Sequence, residues 1–306
     1  MAASIVKRIL QTIPTLIGVS LLIFIALRIV PGDPARLNAD VDATGEDIAM
    51  IREHLGLNKP LYEQYALFMK QLLLGDMGMS MRSHKPVLED IMLRFPTTLL
   101  LTALAIAIMI VVGILTGVAS ATKPNSLRDH GSMLFALFNL SMPSFWLGLM
   151  LILVFSLYIP LFPTGGSQTL RHYILPALTI GLSSSAVLAR LTRSSLLDIL
   201  NQDYIRTAFA KGAGKRVVVY RHALKNALIP IITVVGLEFG HLLGGAVLVE
   251  MVFSMNGIGS YLIQSIQFRD YPAVQGTVMF IALLFVLVNL LVDICYSLAD
   301  PRVAYE

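Results

Sequence analysis

An all-α integral membrane protein is the fold class that this 306-residue sequence predicts, and three observations predict it. The composition is 56% hydrophobic and only 14% charged, with a mean hydropathy of +0.75; an average soluble domain carries roughly a quarter charged residues. Six apolar stretches are long enough to cross the ~30 Å hydrocarbon core, which takes about 20 helical residues. They cover residues 9–30, 97–121, 131–155, 174–192, 229–250 and 276–298. Lys and Arg, finally, fall on alternate connections between these stretches.

The first stretch follows Lys7 and Arg8. It is too long for the apolar region of a signal peptide, and Pro31-Gly32-Asp33 is a poor cleavage site, so it reads as a retained first span. Residues 1–30 are therefore tail and first helix, 31–95 a polar insertion, and 96–306 the core with the other five spans. The insertion holds seven Lys/Arg and ten Asp/Glu, contains Pro31 and Pro34, and has helical character from Pro60 to Leu74. It is too long to set orientation, so the short segments decide. Residues 1–8, 122–130, 190–228 and the tail carry thirteen Lys/Arg, whereas 156–173 and 251–275 carry only Arg171 and Arg269. That contrast predicts both termini in the cytoplasm and the insertion outside. The net charge of +4 is thus topological and predicts no nucleic-acid partner. The lone Cys295 permits no intrachain disulfide and no Cys-based metal site.

The connection between the fourth and fifth stretches needs its own account. Eight Lys and Arg lie between Arg190 and Lys225, against only Asp198 and Asp203. Retention of positive charge on the inner side explains part of this, but a plain helix–helix connection needs only about 2–8 residues. After Gly212-Ala213-Gly214, apolar residues recur at Val217, Tyr220, Leu224 and Ala227, with Arg221 and Lys225 on another face. This predicts an amphipathic helix beside the membrane. Periodicity alone leaves open whether it lies among headgroups or docks on a soluble partner.

As a motif, "DYIRTAFAKG" followed by "RHALKNALIP" resembles the cytoplasmic coupling loop of ATP-binding-cassette importer permeases of the dipeptide, oligopeptide and nickel branch. The matching positions are Asp203, Tyr204, Arg206, Thr207, Ala208, Ala210, Lys211, Gly212, Arg221, His222, Asn226 and Pro230. "PGDPA" at 31–35, "LGLNKPLYEQY" at 55–65, "GDMGMS" at 75–80, "MPSFWLGL" at 142–149, "RDYP" at 269–272 and the closing "VDICYSLADPR" extend the resemblance over essentially the whole chain. One departure is Asn256, where the branch usually has the proline of Pro-Gly-Leu-Gly; an Asn-Gly turn serves there equally well.

The resemblance implies a type I importer permease of six spans in a bacterial inner membrane, with an extracytoplasmic insertion after the first helix. It implies a heterodimer with a second homologous permease, two ATPase subunits that carry ATP and Mg, and an extracytoplasmic substrate-binding protein. The coupling loop, 193–228, would pass nucleotide-driven closure to the spans, with Ala208 and Ala210 allowing close packing and Gly212 a bend. Arg206, Lys211 and Arg221 would meet acidic or carbonyl groups on an ATPase. The implied solute is a di- or oligopeptide, with glutathione, nickel or a metal chelate as alternatives.

No cofactor site is legible in this chain. "GAGKR" at 212–216 is no phosphate loop, since that pattern needs Gly at 209 and Ser or Thr at 216, where Phe209 and Arg216 stand. The serines of "GLSSS" at 181–185 have no convincingly placed base for an intramembrane protease and suit close helix packing instead. In the fifth span, Gly236, Gly240 and Gly244 form a small-residue stripe, and Glu238 and His241 share nearly one face. An ionisable pair at that depth faces protein or a wet path. It either lines the translocation path, touching a cationic group of the solute such as a peptide amino terminus, or makes an interhelical hydrogen bond that locks the subunit interface. Asn289 and Asp293 in the last span read as partners for neighbouring helices.

Overall fold

The computed structural model describes residues 2–29, 34–37, 43–54 and 56–299, and apart from turns and one isolated antiparallel bridge between Met79 and Pro86 the described chain is helical. The helices are α1 (Ala2–Ile29), α2 (Pro34–Leu37), α3 (Gly45–His54), α4 (Leu61–Leu73), α5 (Val87–Ala121), α6 (Leu127–Ser141) and α7 (Ser144–Ile152). There follow α8 (Leu170–Leu200), α9 (Asp203–Ala210), α10 (Lys215–Val217), α11 (Leu224–Gly245), α12 (Val247–Val252), α13 (Ile258–Gln267) and α14 (Tyr271–Ala299). A π-helical stretch, Leu153–Tyr158, extends α7, and a second, Val218–Ala223, joins α10 to α11.

Four segments are long and apolar enough to span a membrane: Leu10–Ile29, Val87–Ala121, Leu170–Leu200 and Tyr271–Val292. Two bent pairs bring the total to six if each is one span: Leu127–Ser141 with Ser144–Tyr158 at 100°, and Lys215–Leu228 with Pro230–Gly240 at 51°. The third apolar stretch is therefore broken where the sequence suggested one helix. Pro143 follows Met142, whose backbone is extended at φ −85° and ψ 130°, as a proline forces on the residue before it. α5 begins at Val87, ahead of the apolar stretch, with Glu89 and Asp90 in its first turn. Carboxylates there complement the exposed N–H groups of a helix start.

The chain divides into two compact units, to both of which α5 and α14 contribute. One comprises Leu99–Met255 and the end of the chain from Leu287. Its core includes Leu101, Met109, Leu188, Leu196, Ile205, Val218 and Phe253. α5 and α8 pack closely enough that a Cβ at Gly117 would stand 2.5 Å from Cβ of Thr192, and one at Gly181 2.7 Å from the carbonyl oxygen of Ala105. The small residues of "GLSSS" thus serve packing, with Ser183 and Ser185 donating to the carbonyls of Thr179 and Leu182 in their own helix. Three helices are tied by one ion pair. Arg193 Nε and Nη2 of α8 donate to the two carboxylate oxygens of Asp129 on α6, at 2.8 and 2.7 Å. Ser120 Oγ of α5 also donates to Asp129, as does the Asn125 N–H at 2.9 Å.

The other unit comprises Ala2–Thr98 and Asn256–Val286. Here α1 packs on α4: the Phe24 and Tyr65 rings meet edge-on at 5.2 Å, and Arg28 donates twice to Gln64 Oε1, at 3.0 and 2.8 Å. Part of the polar insertion is thereby anchored to the end of the first span. A core of Val87, Ile91, Ile258, Tyr261, Ala273 and Phe280 closes around α5, α13 and α14. The expected Asn-Gly turn is not where the backbone reverses: Ser254 takes the left-handed conformation at φ 48°. Gly257 is extended as the N-cap of α13, its N–H donating to Ser260 Oγ at 3.1 Å.

Candidate functional site

The long basic connection folds into a short helix and a turn that leads back into the fifth span. α8 ends at Leu200, and Gln202, extended at φ −74° and ψ 149°, opens α9. The acidic Asp203 sits in the first turn, where a negative charge suits the helix dipole. Ile205 is fully buried and Ala208 packs against the same core, which fixes one face of α9 to the protein. The opposite face is left over. Tyr204 and Phe209 are 45% and 46% exposed, and Arg206, Thr207, Ala210 and Lys211 are exposed with them. Of the two alanines expected to allow close packing, only Ala208 reaches this chain's own core, because α9 is anchored through Ile205 and turns Ala210 outward.

α9 ends in a glycine stop. The Gly212 N–H donates to Phe209 O and the Ala213 N–H to Ala208 O, while Gly212 takes φ +83°. This is the Schellman arrangement, and its left-handed residue is the position that glycine fills without a Cβ penalty. A Cβ at Gly212 would meet nothing within 4 Å, so only backbone conformation restricts it.

The amphipathic helix expected after the turn exists, but its buried face is shifted. Val218, Val219, Ala223 and Ala227 are buried, whereas Val217 and Tyr220 are 47% and 57% exposed. The π-helical stretch at Val218–Ala223 inserts extra chain into the turn and rotates the face away from a 3.6-residue register. The helix continues into the fifth span and is not a separate surface element. Asn226 Nδ2 donates to Tyr204 Oη at 2.9 Å and to His222 O at 3.1 Å, pinning α9 to the base of that span. Lys215 Nζ adds a bond to Thr122 O at 2.9 Å.

The surface formed in this way holds three exposed aromatics, Tyr204, Phe209 and Tyr220, among Arg206, Lys211, Arg216, Arg221 and Lys225. Arg206 lies 3.6 Å from Asp203, a pair with both side chains largely in solvent and so of little stabilising value. Cations interspersed with exposed rings, on a helix fixed from behind, suit a protein groove with acidic or carbonyl groups. Replacing Tyr204 with Phe removes one half-exposed hydrogen bond. The expected result is a stability loss below about 1 kcal/mol with faster amide exchange confined to α9, read by hydrogen–deuterium exchange.

In the fifth span, Gly236 permits contact with the last helix: a Cβ there would lie 2.2 Å from Val292 Cγ2. Gly240 is buried and Glu238 half-buried, and no hydrogen bond or ion pair joins the Glu238 side chain to another described residue. The side chains of His241, Gly244 and Asp293 lie outside the described residues, and Asn289 is half-buried. No group of three or more potential metal ligands forms among the described residues. The Asp129–Arg193 pair was missed in the sequence, where Arg193 counts only as one more positive charge. The available signal was Asp129, an acid within an otherwise basic short connection.

Two family models match the chain. The one described as the binding-protein-dependent transport system inner membrane component covers residues 109–305, and its N-terminal companion covers 1–102. A glutathione transport system permease protein of Pectobacterium atrosepticum is 45% identical over 98% of each chain. A dipeptide transport system permease protein of Alkalihalophilus pseudofirmus is 42% identical over 100% of each. Among solved structures, an inward-facing MetNI methionine ABC transporter aligns with a TM-score of 0.59 at 18% identity, covering 69% of this chain and 96% of that one. An amino acid ABC transporter crystallised with histidines aligns at 0.52 and 17%, covering 70% and 94%. These two show the shared fold.

Proposed function

The chain belongs to the family of binding-protein-dependent transport system inner membrane components, and from that membership we propose that it is one of two pore-forming subunits of an ATP-driven importer of di- or oligopeptides. The observation that carries the coupling part of this reading is α9, buried through Ile205 and presenting Tyr204, Arg206, Phe209 and Lys211 outward. That face docks on an ATPase subunit, and its closure is passed through the Tyr204–Asn226 bond into the fifth span. ATP and Mg are held by the ATPases, and this chain hydrolyses nothing. Thirteen Lys/Arg against two on alternate short connections support a cytoplasmic position for α9 and both termini.

The peptide reading draws on a dipeptide permease and glutathione permeases that match over nearly the whole chain. Glutathione, itself a small peptide, is the second reading, supported by the 45% identity of the Pectobacterium atrosepticum relative. A partner permease, two ATPases and an extracytoplasmic binding protein complete the complex. The test is uptake into proteoliposomes by that complex with labelled dipeptides, oligopeptides and glutathione. Accumulation that needs both ATP and the binding protein is the expected result, and ATP-independent equilibration would contradict it.

For Glu238, half-buried in the fifth span, we infer a place on the translocation path, with a lock at the subunit interface as the alternative. The Glu238→Gln variant is expected to assemble at normal yield with altered uptake of solutes bearing a free amino group. Failure to assemble, read by co-purification of the partner permease, would assign Glu238 to the subunit interface instead.

A further inference from the structure

A polar cavity of about 280 Å³ lies in the unit formed by Ala2–Thr98 and Asn256–Val286, and nothing in the coupling surface accounts for it. Its walls come from the turn at 80–83, the first turns of α5, and α13 with the turn that follows it. The charge contrast of the short connections favours the extracytoplasmic side for these segments.

Two acids line the cavity, and both are already engaged. Asp90 accepts from Ser83 Oγ at 2.6 Å, from Arg94 Nη1 at 2.9 Å and from Tyr261 Oη at 3.4 Å. Asp270, 2% exposed, accepts from Ser80 Oγ at 2.6 Å and from the N–H groups of Arg82 and Ala273 at 3.3 and 3.1 Å. Tyr261 stays a neutral donor, its phenol pushed up to about 12 by burial and then by Asp90 and Asp270.

The two cations are differently placed. Arg82 is exposed, its guanidinium carbon lying 3.7 Å from the centre of the Phe268 ring, and no carboxylate of a described residue lies within ion-pair distance of it. Arg94 stacks 4.4 Å above the centre of Tyr261 and directs Nη1 to Asp90. Aromatic platforms hold both guanidinium planes in place, so little side-chain freedom remains to be lost on binding. The charged donors left to the cavity are therefore the two guanidinium groups, beside the neutral Gln264 and Ser265 side chains, and they suit a planar anion gripped through two N–H groups.

We propose that this cavity seats a carboxylate side chain of the extracytoplasmic binding protein, gripped by the guanidinium of Arg82 and the open edge of Arg94. The proposal rests on the importer reading above, since the family depends by description on a binding protein. A cavity of this volume admits one Asp or Glu side chain. Such a contact would orient the docked protein and speed its arrival by attraction.

The test uses the whole complex in nanodiscs and follows ATP hydrolysis against the concentration of solute-loaded binding protein. With wild type, saturable stimulation is expected. With Arg82→Glu, the half-saturating concentration should rise roughly tenfold or more, the range of a lost interfacial charge pair, at unchanged basal hydrolysis. Arg82→Lys should fall between the two, and the difference should shrink at high salt. One Asp or Glu of the binding protein, changed to Arg, should restore Arg82→Glu. A curve for Arg82→Glu that overlays wild type overturns the proposal and leaves the importer reading intact. A wild-type complex without any stimulation overturns the importer reading itself. An Arg82→Glu effect that follows the anionic lipid content of the nanodisc, and not the binding protein, assigns the cavity to a lipid phosphate and also overturns the proposal.

Discussion

Asp129→Ala is expected to lose about 3 kcal/mol of stability, the lower end of the range for stranding one member of a buried ion pair. The carboxylate is 3% exposed and accepts two bonds from Arg193, whose side chain is 28% exposed and so partly screened. Three helices meet at this one carboxylate, through Ser120 on α5, Asp129 on α6 and Arg193 on α8. Its loss leaves Arg193, Ser120 Oγ and the Asn125 N–H without their shared acceptor, at the point where α8 leads into the 193–228 connection. The readout is the thermal unfolding midpoint of the purified chain in detergent, with a large drop and reduced yield expected. Replacing both partners by apolar residues, Asp129→Leu with Arg193→Met, should recover most of the loss, because no charge is then stranded. If Asp129→Ala unfolds within about half a kcal/mol of wild type, below the ordinary scale of even one buried bond, the pair is not the tie described above.

Gly212→Val should lower coupled uptake about tenfold while leaving the chain folded. At φ +83° a residue with a Cβ meets strain of about 1–2 kcal/mol, and a β-branched one more. Because nothing lies within 4 Å of the position, that strain has no steric companion. The glycine stop of α9 unwinds, the bonds from Gly212 to Phe209 and Ala213 to Ala208 break, and the exposed face loses its fixed orientation. If the strain falls entirely on the transport step, it corresponds to roughly a 5- to 30-fold drop in rate. Gly212→Asn is the informative control, since asparagine tolerates the left-handed region and should retain most uptake. Equal uptake by Gly212→Val and wild type would show that the turn does not transmit force.

Much of this was legible in the sequence, and the exceptions have physical causes. The apolar stretches located the membrane helices because the length of a span is set by the bilayer, not by detailed packing. The break at Pro143 was masked by hydropathy, which sums side chains and ignores the missing N–H. The buried face of the amphipathic helix was displaced because periodicity assumes 3.6 residues per turn, and Val218–Ala223 is π-helical. Gly212 could be placed from sequence since a Gly-Ala-Gly stop is a local device. The Asp129–Arg193 tie and the arginine cavity join residues far apart in the chain, 129 with 193 and 82 with 268, and no local pattern announces such pairs. Asn256 illustrates the converse: the Asn-Gly dipeptide suggested a turn, but the left-handed residue is Ser254, where α12 stops with the Ser254 N–H donating to Met251 O and the Met255 N–H to Glu250 O.

The central claim is that the exposed face of α9 sits on an ATPase subunit, and disulfide cross-linking tests it most directly. Cys295 is the only native cysteine, so a Cys295→Ser background isolates each new thiol. In the assembled, active complex, Phe209→Cys is expected to cross-link to a cysteine placed in the ATPase groove, with a yield that changes on adding ATP. Ile205→Cys, fully buried on the other face, should give none. An active complex in which Phe209→Cys never cross-links to the ATPase and is labelled by a lipid-phase probe would contradict the account, and would return this face to the membrane surface.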